Sequence, residues 1–159
     1  MGNQVLAVVM SAPKKISVLF YVQLFDPCDS VRGFIPEWAE ALQRHPQVNQ
    51  VVVLAMRGAE AYATAPSGIP VYSFAGVNDK FTAFSLPRLW ALLYRIYRKH
   101  KFDVIFPHLT PRYALFSLPL AKSKKVPMVL WYAHRQVNWQ IKAAHWFCAK
   151  RVSSYPASY

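Results

Sequence analysis

Two histidines stand where this chain could do chemistry, His108 and His134. Each follows a short apolar run, Val104-Ile105-Phe106 in one case and Met128-Val129-Leu130-Trp131-Tyr132 in the other. An imidazole titrates near neutral pH, so a histidine in such a place can hydrogen-bond a sugar or phosphate, or act as acid or base. His134 can equally be a surface or packing histidine. For His108, just ahead of Leu109-Thr110-Pro111, the simpler account is a helix capped by Thr110. A third candidate is Arg32-Gly33 before a helix, which can hold phosphate or form an ordinary turn. A dinucleotide site would need Gly-x-Gly-x-x-Gly there, and the single Gly33 argues against nicotinamide or flavin. His45, His100 and His145 read as structural or solvated. No Ser-His-Asp set and no metal-ligand spacing is found, so neither a metal nor a cofactor is expected.

These residues need a scaffold, and the patterning supplies one. Continuous apolar runs over 16–22 and 51–56 read as strands covered on both faces, as in a parallel sheet. Shorter strands are expected over 69–74, 103–106, 128–132 and 151–154, the third strand near an edge because of Pro70. Helices are expected over 34–44, 85–101, 111–123 and 137–149, the last with Ile141, Ala144, His145 and Cys148 inward. The resulting β-α-β-β-α-β-α-β-α-β order predicts a Rossmann-like, doubly wound, mostly parallel α/β sheet. Ligands bind at the carboxyl ends of the strands in such sheets, which is where His108 and His134 fall. Residues 1–15 read as a leader or an extra edge strand, and 16–159 as one domain.

Composition narrows the function classes. At 54% hydrophobic and 16% charged, the chain is not a disordered one. Its net charge of +12 implies an anionic partner: nucleic acid, an acidic bilayer surface or phosphate-bearing molecules. No apolar run approaches the about 18 residues of a membrane span. The basic, aromatic helix over 85–101 suits an anionic membrane interface through Arg88, Trp90, Arg95, Arg98 and Lys99, or is a solvated face over a core stripe. Nucleic acid is the weaker partner, since no helix-turn-helix, finger or RNP pattern appears. Cys28 and Cys148 form no motif, and a reduced, cytoplasmic setting is the default.

The order of pieces resembles the N-terminal half of GT-B glycosyltransferases, in particular the retaining class called group one or family four. The resemblance runs from the Lys-Lys-Ile opening and the Arg32-Gly33 turn, through Glu37-Trp38-Ala39-Glu40-Ala41-Leu42 and Ile69-Pro70-Val71. It continues in Phe102-Asp103-Val104-Ile105-Phe106-Pro107-His108, in Val126-Pro127-Met128-Val129 followed by His134, and in the close at Ser154. It implies an acceptor-side domain of an enzyme that moves a sugar from a nucleotide-sugar, as co-substrate, to a lipid or saccharide acceptor with retention. Carried over, it gives His134 a catalytic contact with the transferred sugar, and Arg32, Gly33, His108 and Arg135 substrate contacts. It also implies a peripheral place on the inner face of the cell membrane. The family's paired-glutamate donor region has no counterpart in the 159 residues, so the chain alone is expected to bind without transferring. A separate C-terminal half is then an expected partner. Two rivals stand beside this expectation: a catalytically silent membrane-associated domain, and a basic nucleic-acid-binding domain.

Overall fold

A computed structural model of the protein describes residues 14–58, 67–75, 82–134 and 136–154. The expected strand over 16–22 is β1 (Ile16–Leu24), whose apolar run is buried because it has a parallel neighbour on each side. One neighbour is β2 (Val48–Arg57) and the other β4 (Val104–Pro107). Pro70 cuts the third strand short, leaving β3 (Val71–Ser73) paired with β2 at the sheet edge, as expected of a strand that begins with proline. Strands β5 (Val129–Trp131) and β6 (Lys150–Val152) pair with each other. β5 lies against β4, with the Ile105 N–H donating to the Pro127 carbonyl (3.0 Å) and the Leu109 N–H to that of Trp131 (2.8 Å). The strands therefore run β3-β2-β1-β4-β5-β6, all parallel, with the order reversing between β1 and β4. That is a Rossmann-like α/β fold.

Alternation along the strands divides the core. Leu19 and Tyr21 of β1 and Val52, Leu54 and Met56 of β2 face one cluster, under helices α2 (Leu86–His100), α3 (Pro111–Lys124) and α4 (Trp139–Phe147). Val18, Phe20 and Val22, with Val51, Val53 and Ala55, face the other, under α1 (Ile35–Arg44). The two-residue period thus feeds both layers from each strand. Helices α1, α2 and α3 each carry a proline in the first turn, where its missing N–H costs nothing. Asp103 ties the far ends of β1 and β4 together. Its carboxylate accepts from the Ser17 N–H (2.8 Å), its own N–H donates to the Ser17 carbonyl (2.8 Å), and Lys14 lies 3.9 Å from it.

Four expectations change at this level. His145 is exposed, and Ile141, Ala144 and Cys148 alone of the expected inward set are buried, because α4 ends at Phe147 and turns its polar side outward. Thr110 occupies the N-cap of α3 but makes no capping bond with its side chain. The second strand is longer than the expected 51–56 and takes in Arg57 as its last residue. Trp90, expected to face a membrane, is half-buried on α3, where its indole N–H donates to the Phe116 carbonyl (2.9 Å). Tyr94 donates to the Pro119 carbonyl (3.2 Å), so two α2 side chains serve carbonyls around the proline that interrupts the α3 ladder. Residues 1–13, which hold most of the expected leader or edge strand, lie outside the described residues, as does Arg135.

Candidate functional site

The turn between β1 and α1 is short and closes on itself. Asp29 Oδ1 accepts from the N–H groups of Val31 (3.0 Å) and Arg32 (2.6 Å), and Asp26 Oδ1 from that of Cys28 (2.9 Å). The Gly33 N–H donates to the Asp29 carbonyl at 2.9 Å. A Cβ at Gly33 would come within 2.7 Å of the carbonyl oxygens of both Asp29 and Pro27, so only glycine fits. The amides that a phosphate would use are thus bonded to the loop's own carboxylates and carbonyls. Gly33 is needed here for close packing.

His108 lies directly behind this turn. It is buried at 2% exposure among the rings of Phe20, Phe34, Trp38 and Trp131, with centroids 5.2–6.4 Å away, and its Nε2 has no hydrogen-bond partner among the described residues. Burial in that apolar box pushes its pKa down to about 4, so the ring is neutral at physiological pH. The backbone beyond it is strained: Leu109 has φ +60, and the Thr110 N–H reaches back to the His108 carbonyl (2.8 Å). His134 is the opposite case. It sits past the end of β5, exposed, with its ring edge-on to Tyr132 at 5.5 Å.

Across the same edge of the sheet a pocket of about 100 Å³ opens between the ends of β1, β2 and β3 and the start of α3. Gln23, Arg57, Thr110, Arg112 and Tyr113 supply its polar lining, and Met56, Phe74 and Phe116 its apolar walls. The buried Tyr113 ring stacks on Tyr21 at 4.5 Å. Burial pushes its hydroxyl up to about 12, against the opposing pull of the nearby Arg112, Arg57 and Arg32 guanidinium groups. Arg32 is not among the residues lining this pocket, and its ion pair is with Asp29 at 3.9 Å. Sequence reasoning missed Arg57 and Arg112. The signal available was position, one arginine ending a strand and one opening a helix at the carboxyl edge.

The remaining expected residues lie elsewhere. Arg88, Arg95, Arg98 and Lys99 are exposed on α2, with Arg88 over the Phe74 ring (5.4 Å) and Lys99 over Tyr72 (6.0 Å). Among the described residues no cluster of His, Cys, Asp and Glu could hold a metal ion, and no helix is long and apolar enough to cross a membrane.

No family model matches the sequence, and no curated relative is similar enough to align with it. Solved structures do match in fold. MurG of Acinetobacter baumannii superposes with a TM-score of 0.65 at 17% identity, over 92% of this chain and 42% of that one. The chain has the fold of a GT-B half-domain. The lipopolysaccharide outer core galactosyltransferase WaaB gives 0.62 at 5% identity, over 89% of this chain and 40% of that protein. A UDP-N-acetylglucosamine 2-epimerase gives 0.61 at 16%, over 91% and 43%. The chain thus spans less than half the length of the proteins whose fold it shares. The Rossmann-like α/β fold expected from the sequence, one half of a GT-B architecture, is the one observed.

Proposed function

We propose that this chain is the acceptor-side half of a glycosyltransferase that moves a sugar from a nucleotide-sugar to a lipid or saccharide acceptor, with retention of configuration. The observation that carries the reading is the GT-B half-domain fold with an open polar pocket at the carboxyl edge of its sheet. In a sheet of this strand order, ligands bind at that edge. This half would hold the acceptor in place, and a donor-binding half, continuous or separate, would bring the nucleotide-sugar. Rate would come from positioning and from stabilising the leaving diphosphate. His134, exposed beyond β5, would contact the transferred sugar, and Arg32, Gly33, His108 and Arg135 would supply further substrate contacts. His108 could take part only as a neutral ring, and only if its aromatic box opened.

The test is transfer of labelled sugar from a panel of nucleotide-sugars to lipid and saccharide acceptors. The assay uses the chain together with the sequence encoded downstream of it. Transfer with retention that falls at least tenfold in His134→Ala supports the reading. A product of opposite anomeric configuration would remove the retaining assignment. No transfer from any donor would remove the enzyme.

One surface favours the second reading, a silent membrane-associated domain. On α4, Trp139 and Trp146 are 70% and 83% exposed, close to Lys142, and Lys122 stands over the Phe147 ring at 5.0 Å. Exposed tryptophan beside lysine suits the headgroup region of an anionic bilayer, which would place the protein on the inner face of a cell membrane. Sedimentation with phosphatidylglycerol vesicles, lost in Trp139→Ala/Trp146→Ala and at high salt, would support it.

A further inference from the structure

We propose that the pocket between β2, β3 and α3 binds a phosphate group carried by the acceptor, an inference that rests on the acceptor-side reading above. Arg57 and Arg112 line the pocket together with the buried Tyr113. Among the described residues no carboxylate pairs with Arg57 or Arg112, and Asp29 reaches only Arg32. Placing two guanidinium groups on one pocket is unfavourable unless an anion offsets their repulsion. Guanidinium forks fit phosphate oxygens in pairs, which an isolated lysine cannot do.

The walls and the volume point the same way. Met56, Phe74 and Phe116 lower the local polarity, so a charge-assisted bond is stronger here than on open surface. The positive pole of the 14-residue helix α3 points at the pocket through Thr110 and Arg112. Gln23, Thr110 and the protonated Tyr113 hydroxyl offer neutral donors. A space of about 100 Å³ holds roughly three waters, the scale of one phosphate group rather than of a nucleoside.

The experiment is amide and arginine side-chain NMR of the 159-residue chain, titrated in turn with glycerol 3-phosphate, glycerol and UDP. The expected result is saturable shifts at Arg57, Thr110, Arg112 and Tyr113 with glycerol 3-phosphate, none with glycerol, and weaker or equal binding of UDP. Arg57→Gln and Arg112→Gln should each weaken glycerol 3-phosphate about tenfold or more, and Arg57→Lys should recover part of the loss. Both arginines are exposed, so neither variant threatens the fold. Shifts scattered over the basic surface without saturation would overturn the proposal. So would binding of UDP alone, which would assign the anion to the donor. Because binding is read without transfer, a chain that binds glycerol 3-phosphate but supports no transfer upholds the pocket and removes the enzyme reading. A transferase whose Arg57→Gln/Arg112→Gln form keeps an unchanged KM for its acceptor does the reverse.

Discussion

The β1–α1 turn and the arginine-lined pocket occupy the same edge of one sheet and treat charge in opposite ways. In the turn, Asp26 and Asp29 bond the amides of Cys28, Val31 and Arg32, and His108 is sealed behind among aromatic rings. In the pocket, two arginines have no carboxylate partner among the described residues, and Arg112 opens the helix that forms one wall. A glycine turn before a helix is therefore a poor guide to where an anion binds once a nearby carboxylate can reach the same amides. The vacant donors at this edge are side chains.

That contrast can be broken by substitution. The largest expected effect is on the closed side. Gly33→Ala forces a Cβ against two backbone oxygens, neither of which can rotate away. It should cost about 3 kcal/mol, at the upper end for overpacking, read from the urea midpoint at constant m-value.

The His108 box gives a pH signature of comparable size. Its pKa is depressed from 6.5 to about 4 in the folded protein, so between those values the unfolded chain binds more protons. Stability should therefore be fully present above about pH 6.5 and fall as pH drops toward 4, by at most about 3 kcal/mol. His108→Phe should flatten that part of the curve; an unchanged slope in the variant would assign the acid sensitivity to other groups.

Asp29→Ala removes the acceptor for two loop amides and should cost about 2 kcal/mol. It also sharpens the comparison. With its carboxylate gone, the turn should show phosphate-dependent amide shifts at Val31 and Arg32 that are absent from the same titration of the unmodified protein. On the open side the stability effects should be smallest. Arg57→Gln and Arg112→Gln should each change unfolding free energy by less than about 0.5 kcal/mol, because neither makes an ion pair among the described residues. A larger loss would mean that the arginines serve the fold and are not held for a ligand.

Much of the scaffold was legible before any coordinates. The solid apolar runs of β1 and β2 read as strands buried on both faces, and helical periodicity located the four helices. The site was less legible. The Arg32-Gly33 turn reads as a phosphate site, yet it bonds its own amides, and Arg32 pairs with Asp29 three positions before it. Trp90 looked like a membrane anchor because helical periodicity shows which side chains share a stripe, not which neighbour the stripe meets.

The sequence by itself determined the strand and helix order, the parallel sheet that order requires, and the excess of positive charge. Those follow from local rules: the two-residue and 3.6-residue periods, and the conformational limits of proline and glycine. Only the tertiary structure decided where the charge gathers and which polar groups are already satisfied. Arg57 and Arg112 lie 55 positions apart in the chain and line one pocket because parallel strands put successive loops at the same edge. His108 loses its charge for the same kind of reason, since Phe20 of β1, Phe34 and Trp38 at the start of α1, and Trp131 of β5 come from three segments and meet only when the layers pack.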